Sequence, residues 1–101
     1  MVLNKHHGNI PADAIYIGRG SKWGNPFVIG KDGTREEVIQ QYRSLLWAGI
    51  ENGSVTLTEL MALHNKDLVC FCAPKACHGD VLVKASNWAF DIVNSTEGLV
   101  L

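Results

Sequence analysis

The sequence predicts a small single-domain α/β protein, with a short, mostly parallel sheet and about three helices. Short runs of β-branched and aromatic residues alternate with segments whose apolar residues recur at helical spacing. Two Thr-x-x-Glu capping boxes, a pattern that opens helices, precede two of the helical segments. A chain of 101 residues can enclose one modest hydrophobic core and is too short for two. Residues 1–101 are therefore expected to form one domain.

The N-terminal half contains two predicted strands and one long helix. Val2–His6 and Ala14–Ile17 are rich in apolar and β-branched residues, and the Gly, Asn, Pro and Asp residues between them indicate a turn. Phe27–Gly30 is a brief strand or a loop packed on the core. In the first capping box, Thr34 is the N-cap of a helix expected over Arg35–Ala48, which a following glycine ends.

The C-terminal half contains the predicted central strand. Thr56 opens a second, short helix that is expected to reach His64. Leu68–Cys72 is an apolar, β-rich run that stops before Pro74, because proline cannot donate to a sheet ladder. A long apolar stripe at helical spacing follows, and Asn94–Leu101 is expected to be a tail that is flexible or adds an edge strand.

Composition and charge narrow the classes of partner. Apolar residues make up 47% of the chain and charged residues 19%, which is typical of a globular protein. The formal net charge of −1 provides no basic field for a long nucleic acid. No apolar run reaches about 18 residues, so no membrane partner is expected. Because residues 1–8 lack the apolar centre of a signal peptide, the expected location is cytoplasmic.

A glycine-rich loop, Gly18–Pro26, follows the second predicted strand directly. It differs from a P-loop, because the Gly-Lys-Ser order and an immediately following helix are absent. The loop combines positive charge, an aromatic ring, an amide and glycines that allow close backbone approach. Its candidate ligand contacts are Gly18, Arg19, Gly20, Lys22, Trp23, Gly24 and Asn25. The alternative is a surface loop with a packed tryptophan and a satisfied arginine.

The second group of candidates lies in a predicted strand–turn–helix, where three cysteines and a histidine fall within nine consecutive residues. His78 and Gly79 are candidate ligand contacts, because free amide N–H groups at a helix start attract anions. The candidate catalytic residues, a set of thiols, an imidazole and a carboxylate, are Cys72, Cys77, His78 and Asp80. The alternative assigns the thiols to the core as small hydrophobic groups, with Asp80 favouring the helix dipole.

A metal site is a further interpretation of the same residues. Tetrahedral zinc accepts three thiolates and an imidazole, here Cys70, Cys72, Cys77 and His78. Structural zinc sites usually pair cysteines as C-x2–4-C, whereas this chain has C-x-C on a strand, so no metal or other cofactor is expected. The odd number of clustered cysteines also does not indicate a disulfide framework, and reduced thiols are expected.

Both candidate loops begin where a predicted strand ends. In open parallel sheets, ligands bind in the crevice outside the carboxyl ends of the strands. If the two strands are parallel neighbours in a Rossmann-like sheet, the Gly18–Pro26 and Cys72–Asp80 loops share one pocket.

Several separated segments resemble one known family. The segments Tyr16-Ile17-Gly18-Arg19, Trp23-Gly24-Asn25-Pro26-Phe27 and the run from Leu68 to Asp80 are similar to domain of unknown function 4326, which occurs in bacteria and their phages. The helix that opens with Thr34-Arg35-Glu36-Glu37 matches as well. The Cys-x-Pro-x-x-Cys-His run alone also resembles a second uncharacterised bacterial family. Both resemblances imply a compact α/β domain with a polar pocket near these motifs, and they add Pro74 to the candidate ligand contacts.

The predicted function is binding of a nucleotide-like or other phosphorylated small molecule between the two loops, in nucleotide signalling or nucleotide metabolism of a bacterium or phage-infected cell. One alternative is a Cys/His-dependent hydrolase or transferase that acts on a nucleoside or nucleotide. Another is a phage inhibitor of a host protein, with exposed Trp23 and Trp47 as anchors. The expected partner is a small molecule, and a homodimer is left open.

Overall fold

A computed structural model describes residues 2–4, 10–70 and 77–100. The described residues form three strands and three helices, in the order β1 (Val2–Asn4), β2 (Ile15–Tyr16), α1 (Arg35–Asn52), α2 (Leu57–Met61), β3 (Leu68–Cys70) and α3 (His78–Val100). The small α/β fold with three helices is confirmed. The finer expectation of a Rossmann-like arrangement stays a prediction.

The sheet is parallel, with β3 between β1 and β2. Val69 of β3 lies opposite Leu3 on one side and Tyr16 on the other. All three residues of β3 are buried, as expected for a central strand that other elements cover. The second strand is shorter than predicted, although the Ile17 amide still donates to the Val69 carbonyl at 2.9 Å. Of the longer predicted strands, residues 5–6 and 71–72 lie outside the described residues.

Both predicted capping boxes are present, and each sets the start of its helix. The Glu37 amide donates to the Thr34 hydroxyl while the Glu37 carboxylate accepts from the Thr34 amide, and Thr56 and Glu59 repeat the arrangement. Helix α1 runs beyond its predicted end to Asn52, where Gly53 at φ 87° terminates it. Gly49 stays inside this helix. Helix α2 ends earlier than predicted, at Met61, and tight turns continue the chain to His64.

Helix α3 is longer than the sequence indicated. Residues 94–100, expected to form a flexible tail or an edge strand, continue the helix as far as Val100. They contain no proline, and extending an existing helix costs far less than nucleating a new one. No helix within the described residues is both long and apolar enough to cross a membrane.

The hydrophobic core lies between the sheet and the helices. Helices α1 and α2 contact α3, and α3 contacts β3. The largest side chains with almost no exposure are Ile17, Leu60, Leu68, Leu82 and Cys70. Cys70 is therefore a core residue, as its position one residue pair inside the strand predicted.

The inhibitor alternative would need Trp23 and Trp47 to be exposed at the surface. Trp23 and Trp47 are both only partly exposed. Trp23 packs against the hydrophobic core, and Trp47 meets Trp88 edge-to-face at a centroid distance of 4.7 Å. Aromatic rings gain stability from such contacts, so helix packing outcompetes solvent exposure at these positions.

Gly79 allows the first turn of α3 to lie against the sheet. A Cβ atom at this position would be 2.9 Å from Ile17 Cδ1 and 3.0 Å from Val2 Cγ2. Both distances are shorter than ordinary carbon–carbon contact, so a larger residue would push the helix away from β1 and β2. The predicted site residues Cys77, His78 and Asp80 lie next to Gly79. Their positions depend on how closely the helix approaches the sheet.

We expect Gly79→Ala to lower the free energy of unfolding by about 1–3 kcal/mol through overpacking. An alanine in place of glycine ordinarily stabilises a helix interior by roughly 0.5–1 kcal/mol, so the two effects have opposite signs. Urea denaturation measures the difference. Lys84→Ala, at an exposed position of the same helix, is the control and should change stability by less than about 0.5 kcal/mol. A stabilised Gly79→Ala protein would contradict the close packing.

Candidate functional site

A cavity of about 390 Å³ opens at the carboxyl ends of β2 and β3, and we call it the main cavity. Gly18 and Arg19 reach it from the loop after β2, and Cys77 and His78 reach it from the start of α3. The parallel pairing of β2 with β3 brings these segments together. Members of both candidate groups therefore line one cavity, the arrangement expected for ligand sites in parallel sheets.

His78 connects the start of α3 to the end of β2. It is 7% exposed, and its Nε2 lies 2.7 Å from the Ile17 carbonyl oxygen. Because a carbonyl oxygen can only accept, Nε2 carries the proton and donates. Burial lowers the pKa of His78, against the opposing effects of the Ile17 carbonyl, the Asp80 carboxylate and the Trp23 carbonyl. The imidazole is therefore kept neutral near pH 7.

Tyr42 of α1 supports both His78 and the glycine-rich loop. Its ring meets the His78 imidazole edge-on, at a centroid distance of 4.9 Å. Its hydroxyl donates to the Trp23 carbonyl at 2.8 Å, and burial raises the pKa of this phenol well above its usual range. Tyr42 is 4% exposed and therefore belongs to the hydrophobic core. Its contact with the loop had no signal in the sequence.

The polar residues and glycines of the loop largely shape the loop itself. The Asn25 side chain donates from Nδ2 to the Val38 carbonyl at 3.2 Å and accepts the Phe27 amide at 3.0 Å. A Cβ at Gly18 would overlap the Tyr16 hydroxyl at 2.3 Å, and one at Gly24 would lie 2.8 Å from the Gly18 carbonyl oxygen. These contacts explain the glycines by close packing within the loop, with ligand contact as an additional prediction.

The structure divides the predicted ligand surface of the loop between two cavities. Lys22, Trp23 and Gly24 line a second cavity of about 200 Å³, while Gly18, Arg19 and Asn25 line the main cavity. Lys22 forms an ion pair with Glu59, and its ammonium lies 5.7 Å from the Trp23 ring centroid. Gly20, with φ 88°, forms a turn and lines neither cavity. Lys22 and Trp23 are thus separated from the main cavity.

Cys77 and Asp80 cap the N-terminus of α3. The Cys77 thiol accepts the Gly79 amide at 3.3 Å, and the Asp80 carboxylate accepts the Cys77 amide at 3.2 Å. The Asp80 bond to the Cys77 amide is one half of a capping box, whereas the thiol accepts the amide of the second helical residue rather than the third. Asp80 is exposed and belongs to the first turn, where a negative charge favours the helix dipole. A catalytic role for Cys77, His78 and Asp80 stays a prediction.

Two of the predicted site residues, Cys72 and Pro74, lie outside the described residues. Within the described residues, no three His, Cys, Asp or Glu side chains are grouped as a metal site would require. Cys77 Sγ lies 3.4 Å from Cys70 Sγ, and both thiols line the main cavity. The buried residues that line this cavity therefore include two thiols and a neutral imidazole, beside Gly18 and Val38.

Arg35 is the lining residue that the sequence analysis missed. It is the first residue of α1 and reaches the main cavity together with Arg19. A positive charge in the first turn opposes the helix dipole, and this mismatch was the available signal for a role beyond helix formation. Apolar residues that were not among the predicted site residues also line the main cavity. They are Phe27, Val28, Ile29, Val38 and Ile39.

Comparison with known proteins places this arrangement in a family. The family described as Domain of unknown function (DUF4326) matches residues 2–88. A protein of Enterobacteria phage T4, described as an uncharacterized 12.4 kDa protein in the nrdA-td intergenic region, is 36% identical over 90 residues. The aligned part covers 88% of this chain and 79% of the phage protein. No solved structure matches the chain.

We expect His78 to make the protein less stable as the pH falls. The pKa of His78 in the folded protein is below the ordinary value of 6.5, so the unfolded chain binds a proton that the folded chain does not. Stability should therefore fall between about pH 7.5 and about pH 5.5, as the unfolded imidazole becomes protonated. Urea midpoints at these two pH values measure the loss.

His78→Gln should reduce this pH dependence, whereas His64→Gln should retain it. Glu37 and Glu59 do not interfere, because hydrogen bonds from the Thr34 amide and the Lys22 ammonium lower the pKa of these carboxylates. Their contribution to stability is lost only at more acidic pH. An unchanged pH dependence in His78→Gln would show that His78 is not the responsible group.

Proposed function

The chain belongs to the DUF4326 family, and we propose that it binds a phosphorylated, nucleotide-like small molecule in the main cavity. The observation that supports this most strongly is the convergence of Arg19 and Arg35 on one cavity from separate elements. Guanidinium groups bind phosphate oxygens through paired hydrogen bonds. In a chain of net charge −1, the two guanidinium groups at this cavity supply a local positive charge.

The size and walls of the main cavity also fit this class of ligand. Its volume of about 390 Å³ lies within the range of roughly 300–1,000 Å³ that is typical of small-molecule sites. Phe27 and Val38 provide apolar surface for the uncharged part of the ligand. Arg19 is exposed and Arg35 partly exposed, whereas His78 and the thiols are buried. The phosphate would therefore lie near the opening, with the uncharged part inside.

A Cys/His-dependent hydrolase or transferase acting on a nucleoside or nucleotide is the second candidate. It is favoured by the thiol of Cys77 and the imidazole of His78, which line the same cavity as the two arginines. The hydrogen bond of His78 Nε2 to the Ile17 carbonyl weighs against it, because this nitrogen already donates to the backbone. Product analysis after incubation with each nucleotide separates turnover from binding. Cys77→Ser would stop turnover and leave binding in place.

We expect Arg19→Ala and Arg35→Ala each to weaken binding of a nucleoside monophosphate by roughly tenfold or more, since each removes a charge-assisted hydrogen bond worth about 1.5–3 kcal/mol. Isothermal titration calorimetry with the four ribonucleoside monophosphates measures the dissociation constants. The matching nucleosides, which lack the phosphate, should bind more weakly to wild type and should discriminate little between wild type and variants.

Arg43→Ala is the matched control for these two variants. Arg43 is an exposed arginine of the same helix as Arg35 and does not line the main cavity. Its removal changes net charge equally and should leave affinity nearly unchanged. Equal losses in all three variants would indicate a general charge effect, and absence of binding across the panel would contradict the proposed ligand class. Native mass spectrometry of the purified protein tests independently for a ligand carried through purification.

We expect Trp23→Ala to lower the free energy of unfolding by about 2–3 kcal/mol, because a large, partly buried ring is removed from the core. Nucleotide affinity should change little at temperatures where the variant is folded, since Trp23 lines the second cavity. Thermal denaturation and calorimetry on the same samples separate the two effects. A strong loss of affinity with stability retained would place Trp23 in the ligand site.

A further inference from the structure

The end of β3 and the start of α3 hold two thiols next to each other. Cys70 Sγ and Cys77 Sγ are 3.4 Å apart, and the residues are 2% and 4% exposed. Neither residue forms a disulfide, and both line the main cavity. Cys77 caps the start of α3, and Cys70 packs in the hydrophobic core. Neither role requires that a second thiol lie within contact distance.

The two sulfurs are so close that a disulfide between Cys70 and Cys77 would require only a small movement of these atoms. A disulfide has an S–S length of about 2.05 Å, so the sulfurs must approach by about 1.4 Å. Cys77 directly precedes α3. A backbone adjustment at the start of a helix disturbs fewer hydrogen bonds than it would in the middle.

The main cavity gives small oxidants a route to these otherwise buried groups. Hydrogen peroxide is not much larger than a water molecule, and the cavity of about 390 Å³ has room for many waters. The two thiols also differ in environment. The Cys77 sulfur accepts the Gly79 amide at the start of a 23-residue helix. This position differs from that of Cys70 in the core, and we assign Cys77 as the attacking sulfur.

We propose that Cys70 and Cys77 are a peroxide-oxidised dithiol that forms an intramolecular disulfide. The Cys77 thiolate attacks one peroxide oxygen, the O–O bond breaks, and the product is a sulfenic acid and hydroxide, which takes up a proton to become water. The Cys70 sulfur then attacks the sulfenic sulfur, forms the S–S bond and displaces hydroxide, which becomes a second water with the Cys70 proton. Two thiols are oxidised and one peroxide is reduced.

Formation of the Cys70–Cys77 disulfide does not require the proposed ligand, and its test uses the whole chain without any nucleotide. Reduced protein is treated with a small excess of hydrogen peroxide and quenched with a thiol-alkylating reagent. Denatured intact mass should show a loss of about 2 Da, the mass of two hydrogen atoms, with only one alkylated cysteine per chain. Dithiothreitol should restore the original mass and three alkylation sites.

Peptide mapping of the wild-type protein identifies the linked pair even if a variant fails to fold. Phe71 separates Cys70 from Cys72, and Lys75 separates Cys72 from Cys77, so chymotrypsin with trypsin releases the three cysteines on different peptides. A linked peptide pair that contains Cys70 and Cys77 supports the proposal. A link that contains Cys72, or oxidation to sulfinic or sulfonic acid without any link, overturns it.

Cys72→Ser is the matched control variant, and it should keep the peroxide-induced loss of mass. Cys70→Ala and Cys77→Ala should each abolish that loss. Circular dichroism establishes that each variant is folded before treatment. Retention of the mass loss in folded Cys70→Ala or folded Cys77→Ala would contradict the assignment of the pair.

Discussion

The site depends on how closely the first turn of α3 lies against the ends of β1 and β2. One hydrogen bond and one missing side chain hold it there: His78 donates to the Ile17 carbonyl, and Gly79 leaves no Cβ to meet Ile17 and Val2. The Ile17 amide also joins β2 to β3, so residue 17 connects the sheet and the helix through both of its backbone groups. Because these contacts are buried, a lost partner would leave an unpaired polar group inside the core, which is costly.

This constraint gives the glycine-rich loop its shape. The Trp23 carbonyl receives the Tyr42 hydroxyl and lies near the His78 imidazole, so the middle of the loop is held against α1 and α3. Once Trp23 is anchored there, the residues on either side face different cavities. Arg19 lies at the main cavity, and Lys22 lies at the second cavity with Glu59. A loop that is continuous in sequence therefore supplies two separate surfaces.

The features that were readable from the sequence are those set by neighbouring residues. The capping boxes at Thr34 and Thr56 depend on residues three positions apart, and the central strand depends on one apolar run, so their patterns suffice. The sequence left the pairing of β2 with β3 open. Given that pairing, the rule for ligand sites in parallel sheets brings Arg19 and His78 to one cavity. The length of β2 did not follow, because pairing with β3 sets it.

The parts of the site that were not readable depend on contacts across long sequence separations. Arg35 reaches the main cavity only because α1 lies beside the loop, and nothing in its own segment except the unfavourable helix-dipole position marks it. Trp23 is an attractive stacking residue in isolation, yet its anchor is Tyr42, 19 positions away. Residue type alone therefore pointed to a loop that lines the main cavity and could not say which of its residues face which cavity.

The two proposals meet in one volume, because the thiols of Cys70 and Cys77 and the arginines line the same cavity. If both proposals hold, a ligand that fills the main cavity would block the route by which peroxide reaches the thiols. Conversely, drawing the two sulfurs together would move the end of β3 relative to the start of α3 and alter the wall that the ligand contacts. By linkage, if oxidation weakens ligand binding by some factor, bound ligand disfavours the disulfide by the same factor. Together the two proposals predict that ligand occupancy and thiol oxidation compete at a single site.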